Sequence, residues 1–171
     1  METRLTVAYV SSFPPRACGI ATFTQDLSEA VVWSGENIVT RNVARNEEGA
    51  SHVYPPQVGW TIDQHEPRRW IAVARQVNAS RVDLVSIQHE FSICGRFTED
   101  GQFHDHLTGF LDTIRKPVVA TLHTILPHPP ADLRRAVRTL HDHSRAVVTM
   151  LNMASLILEE EYGLGSTKAG L

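Results

Sequence analysis

Cysteine is scarce in this chain: among 171 residues only Cys18 and Cys94 carry a thiol. That is no disulfide framework, so a reducing, cytoplasmic setting is expected. Long apolar runs are missing too. None approaches the roughly 20 residues that cross a bilayer. Met1-Glu2-Thr3-Arg4 leads into a short strand-like run and lacks the layout of a signal peptide. Charge of one sign is also lacking. The 16 Lys and Arg stand against 19 Asp and Glu, a formal net charge of −3. A nucleic-acid partner, which usually needs a basic stripe, is therefore not expected. Repeats and low-complexity segments are absent. So are the P-loop pattern, C-x-x-C and H-E-x-x-H.

What is present is an alternation of short β-rich runs with helical patterns. Leu5 to Val10 reads as a buried strand, and from Ile20 apolar residues recur at Phe23, Leu27, Ala30 and Val31 with helical spacing. Asn37 to Val43 is a second strand, "RNEEGASHVYPPQ" a polar loop, and Val58 to Ile62 a short edge strand. Pro67 suits the first turn of a helix that turns Trp70, Ile71, Ala74 and Val77 inward. Further on, Val82 to Gln88 reads as a strand, Gln102 to Ile114 as a helix, and "KPVVATLHT" as a strand with its proline at the start. Ala131 to His141 is a helix, Ala146 to Met150 a strand and Met153 to Tyr162 a helix. The 171 residues suffice for one domain with a real core. The alternation predicts a doubly wound parallel α/β sheet with helices on both faces.

In such sheets ligands lie beyond the carboxyl ends of the strands, at the topological switch point. After the first strand stands "SSFPPRACGIATF". Pro14 and Pro15 stiffen this loop, and Gly19 permits close approach at a helix start, where an anion such as a phosphate is favoured. After the fourth strand comes "QHEFSICG", and after the fifth "LHT", Leu122 to Thr124. One histidine at a strand end ordinarily caps backbone; His89, Glu90 and His123 at neighbouring strand ends point instead to a site. His104-x-His106 and His141-x-His143 fall in helical patterns, where i and i+2 do not share a face, so no metal is expected. Arg134, Arg135, Arg138 and Arg145 read as a solvated face, with peripheral contact to a membrane as the sharper alternative.

As a set, "PPRACGIATFTQDL", "VSIQHEFSICG", "KPVVATLHTILPHP" and "VVTMLNMASLILEEEYG" resemble, in order and spacing, the N-terminal domain of family 4 glycosyltransferases. These are retaining enzymes of the GT-B fold, in which two Rossmann-like domains face each other across a cleft. The resemblance implies that residues 1–171 are a single Rossmann-like, acceptor-side domain. It implies a nucleotide-sugar donor as substrate, a glycan, lipid or small-molecule acceptor, no cofactor, and a place in the cytoplasm or at the inner face of the membrane. By the same resemblance Gly19 lies near the donor phosphates, and His123 of "TLHT", with Thr124, reaches the transferred sugar or acceptor as the catalytic-site histidine. His89 and Glu90 would line the acceptor side. Where relatives often carry a second glycine, this chain has Arg96. The family's second domain, with its E-x7-E pair, has no counterpart in these residues. The chain is therefore expected to be half an enzyme, inactive in isolation. Two rivals are a non-catalytic Rossmann-like interaction module, or half of a split enzyme, and a histidine-dependent metal hydrolase.

Overall fold

The computed structural model describes residues 4–165 except 36, 48, 64 and 65. Its elements run β1 (Leu5–Ser11), α1 (Gly19–Ser34), β2 (Ile38–Asn46), β3 (Val58–Asp63), α2 (Pro67–Ala79), β4 (Leu84–His89), α3 (Phe91–Cys94), β5 (Gly95–Phe97), β6 (Phe103–Asp105), α4 (Leu107–Thr113), β7 (Val118–Leu122), α5 (Ala131–His143), β8 (Ala146–Thr149) and α6 (Asn152–Tyr162). Six strands form one parallel sheet in the order β3-β2-β1-β4-β7-β8, and β5 pairs with β6 as a small antiparallel hairpin. Counting only the strands of the large sheet, the order is 3-2-1-4-5-6. This is the Rossmann-like, doubly wound α/β arrangement expected from the alternation.

The two faces of the sheet differ. Alternate residues Ala8, Val10, Val43, Val85, Ile87, Val118, Ala120 and Leu122 point to one side. They pack there with Trp70, Val73 and Val77 of α2, Phe110 and Leu111 of α4, and Leu133, Val137 and Leu140 of α5. Pro67 opens α2 as its spacing predicts, and the Trp70 ring meets Phe110 edge-on at 6.3 Å. The intervening positions, Tyr9, Ser11, Asn42, Ser86, Gln88 and Thr121, are also buried but mostly polar, and α1 packs against β1 and β2.

Three expectations need correction. The first concerns α1, whose apolar residues at helical spacing are not its most buried ones. Its buried residues are Ala21, Thr24 and Ser28, while Phe23, Leu27 and Val31 are half-buried and Ala30 is exposed. Small side chains suit close packing on a polar sheet face, and Thr24 Oγ1 donates to Ser11 Oγ at 2.8 Å. The second is the helix over Gln102 to Ile114, which starts only at Leu107. Asp105 accepts the Leu107 N–H (2.8 Å) and the Thr108 hydroxyl, so it caps the first turn. Phe103 to Asp105 pair with β5 instead, and Asp132 accepts the Phe103 N–H at 2.6 Å. The third is the loop after β2. Arg45 and Asn46 complete the strand, and the irregular path begins at Glu47.

The far end of the chain fixes the loop after β7. The Tyr162 hydroxyl donates to the Leu126 carbonyl (3.1 Å) and accepts its N–H (3.3 Å). Gly163 then ends α6 in the left-handed region, φ 65°.

Candidate functional site

Strands β1 and β4 are hydrogen-bonded neighbours, with Val10 opposite Ile87. From β1 the chain proceeds to α1 and β2 on one side, and from β4 to α3, α4 and β7 on the other. The connections leave in opposite directions and open a crevice at the carboxyl ends of these strands. Gly19, His89, Glu90, His123 and Thr124 all belong to segments that border it.

The loop after β1 is held from below. Phe13 is buried, Arg16 N–H donates to the Phe13 carbonyl at 3.2 Å, and the Pro14–Pro15 bond is cis. Gly19 is exposed, and a β-carbon built on it would meet nothing within 4 Å. Its backbone lies outside the left-handed region, so the position demands no glycine for conformational reasons. Cys18 occupies the N-cap of α1, with the Ser12 hydroxyl 3.5 Å from its sulfur. Burial acts to raise the thiol pKa. The Ser12 hydroxyl, the Ala21 and Ile20 amides and the Arg16 charge outweigh it and bring the value below the ordinary one.

At the end of β4 the backbones of two predicted site residues meet: His123 N–H donates to the His89 carbonyl at 3.0 Å. Their side chains take different surroundings. His89 is the last residue of the strand rather than the first beyond it, and it is only 1% exposed. Its ring stands edge-on to Phe91 at 5.1 Å, and Nδ1 has no hydrogen-bond partner among the described residues. Burial, with His123 nearby, pushes its pKa down to about 4, so the ring is neutral at pH 7. Glu90 caps the single turn α3, accepting the Ser92 N–H at 2.7 Å and the Ser92 hydroxyl. One carboxylate of the predicted cluster thus has a structural task already.

His123 turns toward α1. Its ring stands edge-on to Phe23 at 4.9 Å, and Nε2 lies 3.0 Å from Gln88 Oε1. Gln88 is fully buried, and its amide nitrogen donates to Ser86 Oγ at 3.1 Å. Its oxygen can only accept, so His123 carries its proton on Nε2 and keeps a lone pair on Nδ1. Burial lowers the His123 pKa, and Glu90 works in the opposite direction. A neutral, tautomerically fixed imidazole of this kind can accept a hydrogen bond from a ligand hydroxyl. Thr124, the next residue, is half-buried.

Two basic residues escaped the sequence reading. Arg45, assigned to a polar loop, is 1% exposed at the end of β2, and none of its three guanidinium nitrogens has a partner among the described residues. Arg16 bridges from the β1 loop. Its Nη1 donates to the Arg45 carbonyl at 3.2 Å and its Nε pairs with Glu47 at 3.2 Å; Glu47 also meets His52 at 3.0 Å. The residue types gave no signal for Arg45. Continuing the alternation one step beyond Val43 would have placed it on the buried face.

Neither histidine pair of the sequence reading joins the site. His104 lies in β6 and is exposed, while the buried His106 precedes α4, so the helical argument against that pair had the wrong element beneath it. Among the described residues no three His, Cys, Asp or Glu side chains are grouped so as to hold a metal ion. Cys18 and Cys94 are both free. Arg134, Arg135 and Arg138 line a shallow depression of about 350 Å³ on α5. No described helix is long and apolar enough to cross a membrane.

No family model matches this chain, and no curated protein matches it. Among solved structures, a crystal structure of S. aureus homoserine dehydrogenase at pH 7.0 is similar with a TM-score of 0.40 and 12% sequence identity. The likeness covers 87% of this chain and 33% of that one, so the chain spans about a third of that protein's length. The fold assignment rests on the strand order of the chain itself: a six-stranded, parallel, Rossmann-like sheet with its crevice between β1 and β4.

Proposed function

We propose that the chain is the acceptor-side domain of a cytoplasmic, nucleotide-sugar-dependent retaining glycosyltransferase of the GT-B type, as its four motifs suggest. One observation carries the reading: His123 is half-buried and neutral, and Gln88 holds its tautomer at the end of β7, beside the crevice that the Gly19 loop borders. Such a histidine can hold a sugar hydroxyl. The open space beside Gly19 lets the start of α1 approach a donor phosphate. Leaving-group charge would be stabilised by that helix start together with basic groups of a donor-side domain. No metal or other cofactor is required by this scheme. The partners are a nucleotide sugar and a hydroxyl-bearing glycan, lipid or small-molecule acceptor.

The test is turnover, with thermal midpoint measured alongside, for Gly19→Val and His123→Ala in a protein that also carries a donor-side domain. The hydrogen bond lost in His123→Ala is worth about 1 to 3 kcal/mol, so transfer should fall roughly ten- to a hundredfold; the midpoint of this variant should also drop, because the buried Gln88 Oε1 loses its partner, whereas Gly19→Val, facing open space, should lose transfer with little change in midpoint. Near-normal turnover in both variants would end the assignment. A second reading, a non-catalytic interaction module, is favoured by one feature. Met150, Leu151 (70% exposed), Met153 (63% exposed) and Leu156 present apolar side chains around the start of α6. Transfer activity that depends on His123 separates the two readings.

A further inference from the structure

Arg45 is the most anomalous charged group among the described residues. A guanidinium stays protonated at neutral pH, and removing it from water costs several kcal/mol unless an anion lies against it. Among the described residues no carboxylate meets this one. Glu90 and Glu47 act on it only through space, Arg16 adds a repelling positive charge, and the buried Cys94 thiol, pushed up to about 12, stays neutral. The largest influence on Arg45 is burial itself, which lowers its pKa to about 10 and leaves it cationic.

Its position gives the anomaly a meaning. Arg45 is the penultimate residue of β2, next to the exit of β1, since Ser11 pairs with Ala44. Its charged neighbours come from both walls of the crevice: Arg16 from the β1 loop, Glu90 from the turn after β4, and Glu47 from its own strand end. Arg16 lies over the end of β2, bonded to the Arg45 carbonyl, and its outer contact is Glu47, a carboxylate 39% exposed. That contact is one an incoming anion can replace. We propose that Arg45 and Arg16 form a phosphoryl-binding subsite in the switch-point crevice, with Glu47 holding Arg16 in place until the ligand displaces it. Two guanidinium forks suit a dianionic phosphoryl group, whose three oxygens accept more hydrogen bonds than a carboxylate offers. The group is carried either by a sugar phosphate or by a nucleoside diphosphate. The subsite shares its crevice with the glycosyl-transfer reading, but it rests on the burial of Arg45 and on no motif.

The experiment is thermal unfolding of the full chain in inorganic phosphate, with sodium chloride at matched ionic strength as the control. At phosphate ten times its dissociation constant the midpoint should rise by about 3 to 6 °C above the chloride control. Arg45→Met should lose that rise. Its midpoint without phosphate should equal or exceed that of the unsubstituted chain, because an unpaired buried charge has been replaced by an apolar side chain. Arg16→Gln, on a surface loop, serves as the second variant, with phosphate binding at least threefold weaker. Glucose 6-phosphate and uridine diphosphate run in parallel, and the larger Arg45-dependent response names the source of the phosphoryl group. The subsite is overturned if phosphate gives no rise beyond chloride, or if either variant keeps the whole rise. Phosphate binding by the chain without sugar transfer in a protein that also carries a donor-side domain would leave the subsite standing and remove the glycosyltransferase reading; transfer there without Arg45-dependent phosphate binding would do the reverse.

Discussion

Lowering the pH from about 7.5 to about 5 should destabilise this domain through His89. The ring is 1% exposed, and among the described residues its Nδ1 has no partner that a proton there could serve. Glu90, the adjacent carboxylate, is turned to Ser92. The folded pKa lies at about 4 against an unfolded value of 6.5. Between these values the unfolded chain binds a proton that the folded chain refuses, so stability falls as pH falls. The loss begins near the unfolded pKa and is complete below the folded one. By linkage it reaches about 2 kcal/mol at pH 5 and about 3 kcal/mol in full. For a domain of this size, 2 kcal/mol corresponds to a midpoint drop of roughly 4 to 8 °C.

Other groups titrate in the same window, His123 among them and in the same direction. The measurement is therefore a comparison: urea unfolding of the unsubstituted chain and of His89→Gln at both pH values. The variant keeps a neutral polar side chain and removes the titration. Its stability should fall less on acidification, by about 2 kcal/mol. An NMR titration of the His89 ring supplies the direct check. A ring that titrates near 6.5, or equal acid sensitivity in the two proteins, would refute the argument.

Gly95→Ala should cost about 1 to 3 kcal/mol in urea unfolding, because a β-carbon there meets the His104 carbonyl oxygen at 2.4 Å and the Phe103 ring at 2.4 Å; Gly19→Ala, facing open space, should change stability by less than about 0.5 kcal/mol. Under native conditions iodoacetamide should modify Cys18 well before Cys94, since only the first thiol is partly exposed and held below its ordinary pKa; equal rates would contradict this. Tyr162→Phe should lose about 1 kcal/mol and speed hydrogen exchange at the Leu126 amide, and unchanged exchange there would show that the hydroxyl does not hold that loop.

Much of this fold was legible because one face of the sheet is apolar. Val85, Ile87, Val118, Ala120 and Leu122 announce their strands through runs of branched and small apolar residues, and the parallel, doubly wound class followed from their alternation with helices. What misled the reading was local polar chemistry. Asp105 starts α4 by taking backbone and hydroxyl donors, and an apolar period that includes Phe103 cannot register such a cap. The same holds at the site. His89, Glu90 and His123 were singled out as candidates because a strand end is visible in sequence. Gln88 and Arg45 were not, because a buried polar residue inside a strand shows itself only once register decides what surrounds it.

The polar face of the sheet links fold to site. Polar groups taken from water destabilise a fold unless they are paired. Beneath α1 several are: Ser11 with Thr24, and Ser86 with Gln88 with His123. An apolar layer at these positions would pack as well and carry no such requirement. The polar layer instead ends in a histidine at the crevice whose proton is already placed by Gln88. Gln88 therefore acts on His123 as a positioning residue, and its own orientation is fixed by a serine one pleat below. Each link lies on β4 or on the residue just after β7, and these two strands are joined by five backbone pairs from Val85–Val118 to His89–Leu122. The orientation of the imidazole is thus set by a side chain of the sheet rather than by the loops that border the crevice.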